Sequence, residues 1–246
     1  MLSIDINCDM GEGIGNDEQL MRYISSASIA CGYHAGDEHT MQQTVDFCIK
    51  HNVAIGAHPS FADKENFGRS EMNLSAEEVY AIVSKQVNDL LAITKTKNTK
   101  LHHVKPHGAL YNMSAKDRSL AAAIAGAVKD IDSSLIVYGL AGSLSLSEAK
   151  KIGLSTASEV FADRTYQDDG SLTPRKQTNA LIDDTGKAIE QVLHMIRTKE
   201  VITLSGKKAA IDADTICIHG DGTHAVEFAK AISEKLKQDG IVIKAI

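Results

Sequence analysis

The chain has 246 residues, with 26 basic against 32 acidic side chains and a formal net charge of −6 at pH 7. Hydrophobic residues are 43% and charged residues 24%, which excludes a disordered or collagen-like chain. No apolar run approaches the roughly 20 residues needed to span a bilayer, no basic stretch precedes an apolar run at the N-terminus, and the acidic balance lacks the basic block of a nucleic-acid surface. No membrane and no nucleic-acid partner are therefore expected. The four cysteines form no C-x-x-C pair, which fits a reduced cytoplasmic compartment and disfavours structural zinc.

Short β-like runs alternate with helical periodicity along the whole chain. The pattern predicts a strand over 2–8, a helix over 17–24, a strand over 28–31 and a helix over 37–51, the last with Met41, Val45, Cys48 and Ile49 on one side. A strand at 53–57 leads into a long loop, 59–74. Ser75, with Glu78 three residues on, marks a capping box that opens a helix to about residue 94. Next come a strand at 101–105, an Ala-rich helix at 116–130, a strand at 135–138, a short helix at 145–152 and a strand at 156–161. A second polar loop, 162–178, precedes a helix at 184–199 and a β-branched hairpin at 201–211 around Ser205-Gly206. The chain ends with a strand at 215–219, a helix at 224–238 and a strand at 241–244. Repeated βα units imply a parallel sheet with helical crossovers, closed as a barrel or open and doubly wound, in one domain spanning 1–246.

Strand parity locates the chemistry. In the first strand Asp5, Asn7 and Asp9 share one face, although a parallel strand covered by helices should be apolar on both. His58 shares a face with Gly56. His103, Lys105 and His107 share another, Glu159 lies on the face of Ala157, and His219 and Asp221 fall on the face of Cys217. These groups collect toward strand C-termini, the ligand-binding end of both candidate folds. His34, His58, His107 and His219 fall there, with Asp9, Glu12, Asp37, Lys105, Glu159, Asp163, Arg164 and Asp221 at matching positions.

Two chemistries fit these residues. Asp5, Asn7 and Asp9 with His34 and His58 could hold a divalent ion. Alternatively, carboxylates and histidines act as general acid and base, with Lys105 or Arg164 holding an anionic group. A buried Lys105 needs a carboxylate or anionic ligand beside it, either a substrate group or Asp9 in a structural ion pair. No G-x-x-x-x-G-K-[ST] loop exists, and the glycines at 11–15 do not fit G-x-G-x-x-G, so the usual phosphate cradle is missing.

The stretches Asp5-Ile-Asn-Cys-Asp-Met-Gly-Glu12, Ile29-Ala-Cys-Gly-Tyr-His-Ala-Gly-Asp37, Ile55-Gly-Ala-His-Pro-Ser-Phe61 and His103-Val-Lys-Pro-His-Gly-Ala-Leu-Tyr111 resemble the LamB/YcsF family. So do Glu159-Val-Phe-Ala-Asp-Arg164, Tyr166-Gln-Asp-Asp-Gly170 and His219-Gly-Asp221. The resemblance runs in order over nearly the whole chain, with one departure: the family's usual Asn-Pro before the final His-Ala is Gly222-Thr223 here. It implies a single-domain, seven-stranded (β/α) barrel of the glycoside hydrolase/deacetylase type. It also implies cleavage of the lactam of 5-oxoproline (pyroglutamate) to glutamate, coupled to hydrolysis of ATP with Mg²⁺, alongside separate 5-oxoprolinase subunits B and C. On this reading Asp9, Glu12, His34, His58, Lys105, His107, Glu159 and His219 are the catalytic candidates. Asn7, Asp37, Asp163, Arg164 and Asp221 are the substrate-binding candidates. Two other readings compete: a metal-dependent carbohydrate deacetylase built on Asp9, His34 and His58, and a scaffold subunit without catalytic groups. Handling of ATP would be shared with the partner subunits, and a bound catalytic divalent metal stays open.

Overall fold

The computed structural model describes residues 2–219 and 224–246. In chain order the elements are β1 (Ser3–Met10), α1 (Asp17–Leu20), β2 (Ser26–Ala30), α2 (Glu38–His51), β3 (Ala54–His58), α3 (Ala76–Thr96) and β4 (Leu101–Val104). They continue as α4 (Gly108–Ser114), α5 (Arg118–Ile131), β5 (Ile136–Leu140), α6 (Leu144–Lys151), β6 (Ser155–Phe161) and α7 (Thr185–Thr198). The last are β7 (Glu200–Ile202), β8 (Lys208–Ala210), β9 (Thr215–Ile218), α8 (Ala225–Gln238) and β10 (Val242–Ile243).

Seven parallel strands pair in the order β1-β2-β3-β4-β5-β6-β9, and β9 returns to β1, closing a barrel with helices outside. Closure explains the parity of β1. Ile4, Ile6 and Cys8 are buried outward against the helical layer, while Asp5 and Asn7 are buried inside the barrel. The capping box at Ser75 and Glu78 forms as the spacing predicts and starts α3. The hairpin also forms, as antiparallel β7–β8.

The floor of the barrel is polar and sealed. Asp5 accepts hydrogen bonds from the hydroxyls of Ser25 (2.5 Å), Ser26 (2.8 Å), Thr215 (2.6 Å) and Tyr138 (3.0 Å). The His103 ring stacks on Tyr138 at 4.1 Å and crosses the interior over β3. A Cβ on Gly56 would lie 2.0 Å from His103 Nε2, so only glycine leaves room for that ring.

Three expectations change. The helix expected over 17–24 is a single turn, α1, because the chain must double back so that Ser25 N–H can reach the Ile6 carbonyl at 2.9 Å. The terminal strand is only β10, paired with Ser3 and Ile4 below the ring, because β9 occupies that side of β1 from Asp5 onward. The segment after β4 contains a helix, α4, that the sequence pattern leaves unassigned; it begins immediately beyond His107.

Candidate active site

The chemistry sits above this floor, at the C-terminal ends of the strands. Asp9 lies at the end of β1, Glu12 in the turn after it, and His34 between β2 and α2; His58 ends β3, and Lys105 and His107 bridge β4 to α4. Glu159 rises from β6.

The middle layer is centred on Lys105, only 2% exposed. Its Nζ lies 2.6 Å from Asp9 Oδ1 and donates to Asn7 Oδ1 at 2.8 Å and Glu159 Oε1 at 2.9 Å. Glu159 is fully buried, and its other oxygen accepts from Tyr111 O–H at 2.6 Å. Asn7 Nδ2 donates to Glu159 Oε1 at 2.9 Å and Thr215 Oγ1 at 2.8 Å. Burial disfavours the Lys105 charge, but Asp9, Cys217 and Glu159 outweigh that and hold its pKa well above the usual lysine value. Burial likewise opposes ionisation of Asp9, yet His58 and Lys105 hold its carboxyl well below the usual carboxylate range.

Over this layer stand three histidines. His34 and His107 stack face to face at 3.8 Å with planes 4° apart, and His58 meets both edge-on. His58 Nε2 lies 3.2 Å from Asp9 Oδ2 and 2.9 Å from His107 Nδ1. Glu12 Oε1 lies 3.3 Å from His34 Nε2 and 3.7 Å from His107 Nδ1. Burial, reinforced by the neighbouring imidazoles, pushes the His34 pKa far down and that of His107 to about 3, so both rings are neutral at physiological pH. The residues able to hold a metal ion are Glu12, His34, His58 and His107, whose ligand atoms lie within 4.8 Å of one another.

The structure thus brings together Asn7, Asp9, Glu12, His34, His58, Lys105, His107 and Glu159. It assigns other work to several expected residues. Of the expected metal set, Asp5 and Asn7 bond within the floor and the Lys105 layer, while Asp9, His34 and His58 stand together at the mouth. Of the two counter-ions expected for Lys105, the structure holds the carboxylate of Asp9, and it adds Glu159. Asp37 is exposed and caps α2, accepting from Thr40 N–H at 2.8 Å, so its side chain is a helix cap. Arg164 is buried, donating to the Thr173 carbonyl at 2.6 Å and the Ala180 carbonyl at 3.3 Å, where it ties down the loop after β6. His219 forms a separate group: its Nδ1 lies 2.7 Å from Asp163 Oδ2, and Arg175 Nη2 lies 2.6 Å from its Nε2. Asp221 lies outside the described residues.

Four contributors escaped the sequence reading. Ser60 accepts from His34, Tyr111 from α4 donates to Glu159, and Phe67 flanks both His34 and His107 edge-on at 5.5 Å with Arg69 4.9 Å over its other face. Ser60 and Tyr111 fall inside the recognisable motifs. Phe67 was beyond reach, since its φ of 57°, unusual for a bulky residue, is what aims its carbonyl at His107 Nε2. Clefts of about 760 and 850 Å³ lie elsewhere, one beside α7 and one beside α6, and none of these histidines lines them.

A chain 55% identical over 250 residues, covering 100% of this sequence and 99% of its own, is the A subunit of 5-oxoprolinase from Shouchella clausii. The crystal structure of a lactam utilization protein from Thermus thermophilus matches with a TM-score of 0.94 at 41% identity, covering both chains completely. The peptidoglycan deacetylase PdaC of Bacillus subtilis, at 13% identity and a TM-score of 0.51 over 100% of this chain and 88% of its own, shares the barrel fold alone. The LamB/YcsF family model matches residues 4–246, and the chain belongs to the LamB/YcsF family.

Proposed function

We propose that this chain is the A subunit of an ATP-dependent 5-oxoprolinase, a cytoplasmic hydrolase acting on a cyclic amide C–N bond, and that its barrel mouth opens the lactam of 5-oxoproline. The observation that carries the reading is the end-to-end similarity to a protein named as the A subunit of 5-oxoprolinase, together with the gathering of acid–base groups at the strand ends. Lactam hydrolysis needs a base for the attacking water, polarisation of the carbonyl and a proton for the departing nitrogen. Asp9, His58 and His107 form a chain of hydrogen-bond contacts and can divide the first and last tasks. Lys105 holds Asp9 ionised and in place. Glu159, bound by Lys105, Asn7 and Tyr111, fixes the layer below. ATP, with Mg²⁺, would activate the lactam by phosphorylating its oxygen, with the nucleotide handled together with subunits B and C.

The test is reconstitution. Mixing this chain with candidate B and C subunits, 5-oxoproline and Mg·ATP should yield glutamate, ADP and phosphate, and omission of this chain should abolish glutamate. Glutamate formation unaffected by the omission would remove the proposal. The chain alone should not hydrolyse ATP; robust ATPase activity of the purified protein would show that nucleotide chemistry is placed wrongly.

A further inference from the structure

All three histidines of the cluster turn their N–H groups away from one another. His58 Nδ1 lies 2.6 Å from the Lys105 carbonyl and His107 Nε2 lies 2.9 Å from the Phe67 carbonyl; a carbonyl only accepts, so both nitrogens carry hydrogen. The Ser60 hydroxyl donates to the Phe61 carbonyl at 2.9 Å and therefore accepts from His34 Nδ1, also at 2.9 Å. These far-side hydrogen bonds leave His34 Nε2, His58 Nε2 and His107 Nδ1 as the nitrogens whose lone pairs can face inward.

Those lone pairs face other acceptors. His58 Nε2 and His107 Nδ1 are 2.9 Å apart, and His34 Nε2 is 3.3 Å from Glu12 Oε1. Facing acceptors repel unless an electrophile lies between them. One cation relieves both contacts.

The geometry points to a divalent transition-metal ion bound by Glu12, His34, His58 and His107 in the mouth of the barrel. Metal bonds of about 2.1 Å in a tetrahedron set the ligand atoms about 3.4 Å apart. Three of the six separations, 2.9, 3.3 and 3.7 Å, straddle that value, and all four ligand atoms lie within 4.8 Å of one another. Far-side hydrogen bonds to carbonyls are what lock a ligating imidazole's tautomer and orientation, and here all three rings have such a support, His34 through Ser60. Three imidazole nitrogens and one carboxylate suit zinc, cobalt, nickel or ferrous iron better than magnesium or calcium. Such an ion would polarise a carbonyl or activate a water beside Asp9.

The test uses the full chain alone, without partners or substrate, so its outcome is separate from that of the 5-oxoprolinase reading. The protein is stripped with a chelator and titrated with Co²⁺, following the visible d–d absorption, bound metal by elemental analysis, and the thermal midpoint. One equivalent of cobalt, displaced by zinc and raising the midpoint, is expected. His34→Ala and His107→Ala should abolish the bands. Glu12→Gln, in the turn after β1, should weaken binding by about tenfold or more while keeping the fold, and it decides the matter if the histidine variants do not fold. His39→Ala, on the exposed side of α2, should change nothing. Absence of bound cobalt, binding untouched by Glu12→Gln and the histidine variants, or binding lost with His39→Ala would overturn the assignment.

Discussion

Replacing Lys105 by Met tests how the middle layer is held. The side chain is 2% exposed, and its ammonium is shared by Asp9, Glu159 and Asn7 at 2.6–2.9 Å. Methionine nearly preserves the volume, so little cavity cost enters, and what is lost is the charge. Removing one partner of a buried ion pair costs about 3–5 kcal/mol, because the remaining carboxylate stays desolvated. Glu159 is fully buried and meets that condition; Asp9, with 13% of its side chain exposed, meets it less strictly. At about 2–4 °C per kcal/mol for a chain of this size, the thermal midpoint should fall by roughly 6–20 °C. Calorimetric unfolding at pH 7 measures this. The double variant Lys105→Met/Glu159→Gln should regain part of the loss, giving a favourable coupling energy in the cycle. Turnover of the folded fraction in the reconstituted system should fall by about 10²-fold or more, since Asp9 loses the ammonium that, with His58, keeps it ionised and in place. A midpoint change within about 2 °C, or a cycle with no coupling, would refute the placement of this charge layer.

The remaining expectations probe other parts of the barrel. Gly56→Ala puts a methyl 2.0 Å from His103 Nε2, so stability should drop by about 1–3 kcal/mol in denaturant titration; an unchanged midpoint would mean that the His103 ring does not cross β3. Asp37→Ala should cost about 1 kcal/mol of stability from the lost cap while leaving glutamate formation in the reconstituted mixture intact, and a large loss of turnover would return Asp37 to the substrate site. His34, His103 and His107 all have folded-state pKa values pushed below the unfolded value, chiefly by burial. The stability tied to these neutral rings is therefore complete above about pH 6.5 and is lost as pH falls, His107 reaching its folded value at about 3. Metal-free protein should unfold more readily at pH 5 than at pH 7.5, and a flat profile over that interval would contradict the burial of these rings.

Much of the architecture was legible because period and parity are properties of the sequence itself. Alternation of strands and helices implied the parallel topology, and parity marked the polar face of β1, but closure as a barrel came only from the family resemblance. The helix α4 was not legible: it is seven residues long, follows Pro106 directly, and starts at a His107 that offers no side-chain cap. The length of α1 was lost for a related reason, since a long-range bond from Ser25 to Ile6 overrides local helical pattern. Site membership divided along similar lines. Residues whose backbone lies in the strands, such as Asp9, His58 and Glu159, were placed by parity, whereas Asp37 and Arg164 sit in loops or at helix starts, where the sequence shows a charge but not its partner.

Polarity inside the barrel is graded from floor to mouth. At the floor, Asp5 meets four hydroxyl donors and no cation, and burial raises its pKa in spite of them. One layer up, Asp9 and Glu159 share a single ammonium, supplemented by Tyr111 and Asn7. At the mouth the imidazoles direct a ring nitrogen outward to Ser60 and to the Lys105 and Phe67 carbonyls, and their other nitrogens face one another and Glu12. Among the described residues, hydroxyl and ammonium donors therefore give way to imidazoles toward the strand ends. A core arranged only for stability would balance every layer as the floor is balanced. Convergence of three imidazoles and a carboxylate at one end is the arrangement expected where an electrophile binds, and it is the reason, separate from any relative, for looking to the mouth for the proposed chemistry.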